Sequence, residues 1–174
     1  SRWSEVKSLI DDGLGIAKKL SINYWIVYFN ILSANGRIHI LDLEVAYQHL
    51  QTANNSLLPT TDDRKHIQAS ILSSFALLMF KKKQYADARL YAEQAVGVAR
   101  DGGVLDFVAR TELILAQIEL SRNEKIEALN IVENVRTQAI KFEWTSIHQT
   151  SEFLCAEIRK QLGHTDEANK SAQK

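Results

Sequence analysis

Hydrophobic residues recur along most of this chain in steps of three and four, the spacing that places side chains on one face of an α-helix. One such stripe contains Ile67, Ile71, Phe75 and Leu78, and similar stripes precede and follow it. The pattern predicts an all-α fold. The predicted helices cover about 3–19, 22–38, 42–57, 63–81, 84–101, 104–121, 124–142, 145–162 and 165–174.

The same pattern repeats along the chain with a period of about 40 residues, a length typical of helical repeats. Two alanines at a constant spacing mark each repeat, and each unit contains two predicted helices. The marker pairs are Ala34 and Ala46, Ala76 and Ala88, Ala116 and Ala128, and Ala156 and Ala168. A residue this small is expected where two helices approach most closely, because a larger side chain would push their axes apart.

The repeats predict a single helical-repeat domain over 1–174 that begins with half a unit at 1–20. Four units follow at about 21–61, 62–102, 103–143 and 144–174. Asp42, Asn123, Thr165 and either Thr61 or Asp62 are predicted N-caps, because their short polar side chains suit helix starts. The half unit and the short last helix predict that the segment belongs to a longer array.

Composition supports helices and excludes several classes of protein. Glycine and proline total only eight residues, where average usage gives roughly twenty, so the many tight turns of an all-β domain are excluded. Lys and Arg equal Asp and Glu at 21 each, so no net field attracts nucleic acid or an anionic membrane. No secretory signal and no membrane-spanning stretch is visible, which predicts a cytoplasmic protein.

The sequence offers little catalytic or metal-binding chemistry. None of the five histidines pairs with another at helical spacing, and the single cysteine, Cys155, lies on an apolar stripe. No glycine-rich phosphate loop and no nucleophile motif is present. We therefore expect no catalytic residue, no metal, no cofactor and no enzymatic activity.

The stretch from Phe75-Ala76 through Phe80, Tyr85 and Ala88 to Ala92 and Ala95 alternates small and large residues. In this it resembles the tetratricopeptide repeat family, and the resemblance covers nearly the whole chain. The long period is similar to that of sensor arrays in bacterial regulators of the maltose-regulator type. The shorter period that is usual in the family is absent. In addition, Glu112, Glu119, Glu152 and Arg159 occupy places that are usually apolar.

The resemblance implies a right-handed α-solenoid of antiparallel helix pairs whose first helices line a concave groove. Four positions beside the first marker alanine share one helical stripe that would face this groove. The candidate partner-binding residues on this stripe are Tyr28, Ile31, Asn35, Ser73, Leu77, Arg110, Leu113, Gln117, Phe153 and Glu157. A mixed polar and apolar surface of this kind suits a peptide or helix, although its apolar members could instead pack against neighbouring helices.

Two functions remain open at this point. The first is a non-enzymatic scaffold or regulatory module that binds a protein or peptide in the groove. The alternative is a small-ligand or signal-peptide sensor within a larger bacterial transcriptional regulator. In either case we expect no direct contact with nucleic acid or membrane. Self-association or fraying at the amino end is also expected, because a half unit leaves an apolar face around Val6, Ile10 and Leu14 partly uncovered.

Overall fold

The computed structural model describes residues 2–58 and 64–172, together with the side chains of 4–58 and 64–163. These ranges form eight helices and contain no strand. The helices are α1 (Arg2–Lys19), α2 (Asn23–His39), α3 (Leu43–Ser56), α4 (Arg64–Lys81), α5 (Tyr85–Asp101), α6 (Leu105–Ser121), α7 (Lys125–Lys141) and α8 (Thr145–Ala172). The all-α prediction is confirmed, and the bounds of α1 to α7 agree with the predicted helices to within one residue.

The last predicted helix pair is wrong. The sequence predicted a break between helices at 145–162 and 165–174, but α8 continues without interruption through Gly163 to Ala172. Thr165 is therefore an interior helical residue and not an N-cap. A glycine inside a helix costs only about 1 kcal/mol, which is too little to end a helix by itself.

The chain divides into two compact units, Ser1–Val104 and Leu105–Lys174. In the first unit, consecutive helices from α1 to α5 pack in series, and α2 also contacts α4. In the second unit, α6, α7 and α8 pack in series, and α6 also contacts α8. Each unit therefore contains the same pattern, in which alternate helices touch one another besides their immediate neighbours.

Six connections between helices share one backbone geometry. In each, two residues follow the helix, and the second has positive φ. The N–H of this second residue and the N–H of the residue after it donate to carbonyls of the last helical turn. The residues with positive φ are Ser21, Leu41, Lys83, Gly103, Asn123 and Glu143. In the first connection, for example, the Ser21 N–H donates to Lys18 O over 3.2 Å and the Ile22 N–H donates to Ala17 O over 3.0 Å. This is the Schellman motif, which satisfies helix-terminal carbonyls.

These turns explain the repeat period and correct one prediction. Where successive helices are joined by these turns, the positive-φ residues follow one another at a constant spacing. One repeat therefore consists of two helices and two turns. Asn123 is the positive-φ residue of its turn, so its assignment as an N-cap is wrong, and Glu124 holds that place in α7. Asp42 does precede α3 but makes no capping hydrogen bond, because its carboxylate accepts from the Arg37 guanidinium. Thr61 and Asp62 lie outside the described residues.

The marker alanines are buried wherever a following helix covers them. Six of them, from Ala34 to Ala128, have no exposed surface. Ala156 is exposed, because α8 runs straight on and no described helix folds back over it. The side chain of Ala168 lies outside the described residues. Close approach of neighbouring helices therefore accounts for the alanines in α2 to α7.

Candidate partner-binding groove

A groove in the second unit brings together three predicted site residues. Its cavity of about 240 Å³ lies between α6 and α8. The residues that line it are Arg110, Leu113, Ile114 and Gln117 from α6, and Ser146, Ile147 and Thr150 from α8. The steps of three and four between Arg110, Leu113 and Gln117 place them on one face of α6, as the sequence predicted.

The groove has an apolar floor and a polar rim. Leu113 and Ile147 are buried and belong to the core cluster of the second unit. The Arg110 side chain is more than half exposed, and its Nε lies 3.7 Å from Oδ2 of Asp106. Since this distance exceeds that of a hydrogen bond, the donors of Arg110 remain able to bind a carboxylate or a carbonyl.

The remaining predicted residues of α8 lie along the same helix face but outside this cavity. Phe153 and Glu157 continue the line from Ser146 and Thr150 in steps of three and four. Both side chains are exposed, and Phe153 is 73% exposed. A large aromatic side chain is seldom this exposed, and Phe153 extends the apolar surface of the groove along α8.

In the first unit the predicted stripe splits into buried and accessible members. Ile31 and Ser73 are buried within the helix packing. Tyr28 is exposed, and Asn35 and Leu77 are partly exposed. Packing against neighbouring helices therefore accounts for Ile31, Ser73 and Leu113, which was the alternative that the sequence left open.

Sequence reasoning missed Ser146, Ile147 and Ile114 in the groove. The signal for Ser146 was present, because it lies one helical turn before Thr150, which holds the place of Arg110 one repeat later. Ile147 belongs to the core cluster and Ile114 is half-buried, and neither residue lies on the predicted stripe. The predicted stripe contains only four positions beside each first marker alanine, and these residues hold none of those positions.

A second cavity, in the first unit, was not predicted. It has a volume of about 600 Å³ and is lined by Tyr47 of α3, Met79 of α4, Lys82 of the turn after α4, and residues of α5 that include Tyr91 and Gln94. Phe75 packs against both tyrosines of this cavity. The centroid of its ring lies 5.9 Å from that of Tyr47 and 5.2 Å from that of Tyr91. The Lys82 ammonium lies 5.4 Å from the Tyr47 ring centroid, within range of a cation–π interaction.

A hydrogen-bonded cluster joins α2 to α3. His49 Nδ1 lies 2.8 Å from Asn30 Oδ1, and Ser33 Oγ lies 3.1 Å from His49 Nε2. Asn30 Nδ2 also donates to the Ile26 carbonyl over 2.7 Å. Desolvation, followed by the nearby Arg37, lowers the pKa of His49, so the imidazole is neutral near pH 7. Ser33 and Asn30 are buried, and the cluster therefore serves packing between the two helices.

Polar residues also replace apolar ones between α7 and α8, at places where the sequence departs from the tetratricopeptide pattern. Glu152 accepts from Arg136 over 3.3 Å, and Arg159 donates to Glu133 over 2.7 Å. Exposed pairs of this kind contribute little to stability, because solvent screens the charges. Cys155 lies in the core between them, and burial raises the pKa of its thiol, so it is a small buried hydrophobe as predicted.

Within the part of the chain that the structure describes, no group of His, Cys, Asp and Glu side chains could hold a metal ion. None of the helices described is both long and apolar enough to cross a bilayer. The sequence matches no protein-family model, and neither a curated protein nor a solved structure matches it.

Proposed function

We propose that this chain is a non-enzymatic interaction module of the tetratricopeptide type, a right-handed α-solenoid of antiparallel helix pairs that binds a protein segment. The repeated marker alanines, the six equivalent turns and the contacts between alternate helices support this architecture. A short connection closed by a Schellman motif returns the chain beside the helix it has left, as in other helical hairpins. A cytoplasmic location accords with a chain that has one buried cysteine.

The groove between α6 and α8 carries this proposal. It combines a buried apolar floor, an accessible guanidinium and an exposed aromatic ring one to two turns along α8. Arginine and aromatic residues are over-represented among the few residues that dominate protein interfaces. A peptide segment with an acidic or carbonyl group for Arg110 and an apolar side chain for Phe153 fits this arrangement.

Affinity capture followed by binding measurements tests the proposal. The partner captured by the parent protein is titrated against Arg110→Ala and Phe153→Ala, which should each weaken binding by about 1–2 kcal/mol while the melting temperature stays nearly unchanged. Arg89→Ala and Glu93→Ala on α5 serve as controls, because both side chains lie outside the groove. Full affinity in both groove variants together with loss in the α5 variants would contradict the proposal.

The cavity around Tyr47 and Tyr91 favours a second function, that of a small-ligand sensor in a larger regulator. Aromatic faces beside Lys82 and Gln94 suit a ligand that has an apolar face and several hydroxyl or carboxylate groups. A thermal-shift screen of oligosaccharides and short peptides would test it, with Tyr91→Ala as the variant that loses the response. A ligand that still shifts the melting temperature of Tyr91→Ala but not that of Arg110→Ala would instead bind in the α6–α8 groove.

A further inference from the structure

An apolar surface lies at the first two helices and has no covering element in the described residues. Helix α1 buries one face, with Ile10, Leu14 and Ala17, against α2. The expectation that Ile10 and Leu14 lie on the uncovered face is therefore wrong, because α2 covers them, and of the expected residues Val6 is exposed. Beside it runs a second stripe, called here the outer stripe, whose large side chains are between 45% and 71% exposed. The outer stripe consists of Val6, Leu9, Ile16 and Leu20, with Gly13 at its centre.

The outer stripe borders an apolar groove between α1 and α2. A cavity of about 320 Å³ is lined by Gly13, Ile16 and Ala17 of α1, by Ile22, which directly precedes α2, and by Trp25 and Phe29 of α2. The Phe29 ring lies directly over Gly13, since a Cβ added there would come within 2.4 Å of the ring. Leucine, isoleucine and aromatic side chains thus form one continuous exposed patch, of the kind that marks an interaction site.

The next repeat shows what kind of element fits such a groove. Ala53 of α3 and Ile67 and Ile71 of α4 occupy the places that Gly13, Trp25 and Phe29 hold one repeat earlier. These three residues are buried, because α2 packs on both α3 and α4. The groove between α1 and α2 therefore has the form that accepts an α-helix with an apolar face.

Helix α1 itself has the features of such an occupant. The outer stripe advances in alternating steps of three and four, as in a coiled-coil seam, and it is nearly symmetric about Gly13. Two antiparallel copies would therefore pair Val6 with Leu20 and Leu9 with Ile16. This self-complementarity is what a twofold interface requires, because the same patch faces itself.

Charged residues beside the outer stripe also favour an antiparallel arrangement of two α1 helices. Glu5, Asp12 and Lys19 are exposed and follow one another at heptad spacing along one flank. Glu5 and Lys19 lie about 21 Å apart along the helix, symmetrically about Asp12. In an antiparallel pair each Glu5 meets the Lys19 of the other copy, while the two Asp12 side chains approach each other near the axis.

We propose that two copies of this chain associate through the outer stripe and the groove between α1 and α2, with their α1 helices antiparallel about Gly13. This association is independent of partner binding in the α6–α8 groove, because it uses the other unit of the chain.

A charge-exchange experiment on the full chain tests both the association and its direction. Sedimentation equilibrium of the parent should show a monomer–dimer equilibrium. Lys19→Glu and Glu5→Lys should each weaken the dimer roughly tenfold, because each variant places like charges at both Glu5–Lys19 contacts. An equimolar mixture of the two variants should form a heterodimer near parental affinity, since both contacts are then attractive. Asp12→Asn should tighten the parental dimer.

Two further variants distinguish this interface from other contacts. Ile16→Ser should abolish the dimer, whereas Ile126→Ser, which alters an equally exposed isoleucine of α7, should leave it unchanged. Circular dichroism confirms that each variant remains folded. A parent that stays monomeric at all concentrations, a mixture no tighter than its two components, or a dimer that survives Ile16→Ser would overturn the proposal. A parent that binds a helix of another protein at this groove, but not itself, would do so as well.

Discussion

Trp25 of α2 and Ile67 of α4 hold equivalent places in successive repeats, yet they differ in burial. Trp25 is 45% exposed, whereas Ile67 is 7% exposed. The next apolar position along each helix repeats the difference, because Phe29 is partly exposed and Ile71 is buried. The cause is the neighbouring helix, since α2 covers α4 and no described element covers α2 in the same way.

The marker alanines at the other end show the same dependence. Ala116 is fully buried under α7, while Ala156, one period later, is exposed on the straight continuation of α8. A repeat position therefore specifies which face of a helix is apolar, and the adjacent helix decides whether that face is buried. Truncating or enlarging equivalent residues in covered and uncovered places measures this difference directly.

The largest effect is expected from truncation in the covered region. Ile71→Ala should destabilise the protein by about 2–5 kcal/mol, because it leaves a cavity in a well-packed core. Trp25→Ala removes a larger side chain but should cost less, about 1–2 kcal/mol, since nearly half of that residue is already exposed and its loss leaves no enclosed cavity. Urea denaturation of both variants checks the contrast, and equal losses would contradict it.

Enlargement of the marker alanines should give a smaller contrast in the same direction. Ala116→Leu should overpack the contact between α6 and α7 and destabilise by about 1–3 kcal/mol. Ala156→Leu should change stability by no more than about 0.5 kcal/mol, because its methyl group faces solvent. If both variants melt with the parent, the alanines do not mark close helix approaches.

The turns offer a stabilising change of about 0.5–1 kcal/mol. Lys83 has φ of 61°, a conformation that strains a residue with a Cβ and that glycine adopts freely. Lys83→Gly should therefore raise the melting temperature, since it places in this turn the residue type that Gly103 supplies in the equivalent turn after α5. Gln94→Gly, placed inside α5, is the matched control and should lower it.

The smallest effect expected is a pH dependence that arises from the cluster between α2 and α3. Because the folded-state pKa of His49 is lowered, the unfolded chain binds the proton more readily, and stability should fall as pH drops below about 6.5. The charged groups that influence this imidazole are Arg37 and Lys18, which lower its pKa, and Asp11 and Asp42, which raise it. His49→Gln should reduce the loss of stability that urea denaturation measures as the pH falls through this range.

The sequence predicted the helices well because each carries an apolar stripe that its neighbours bury. It did not predict most of the turns, because only Gly103 and Asn123 among the six positive-φ residues are of types that favour this conformation, and Asn123 was assigned as an N-cap. The separate last helix was wrong for a related reason, since Gly163 resembles a helix end but no described residue beyond it returns the chain onto α8.

The candidate site was predictable to the extent that it follows one helix face. Arg110, Leu113 and Gln117 share a stripe and a cavity, as their spacing indicates. Burial of Ile31 and Ser73 was not predictable from spacing alone, because a groove-facing stripe and a core-facing stripe have the same period. The cavity near Tyr47 and Tyr91 depends on contacts between three helices, for which a single sequence carries no signal.

Hydrogen exchange measured helix by helix, in a sample dilute enough to be monomeric, tests most directly the claim that neighbouring helices decide burial. We predict that amides of α4 exchange most slowly. Helices pack on more than one side of α4, so opening it should cost the most free energy. Amides of α1, which packs only on α2 in the described residues, should exchange much faster. Equal protection of α1 and α4 in the monomer would contradict the claim.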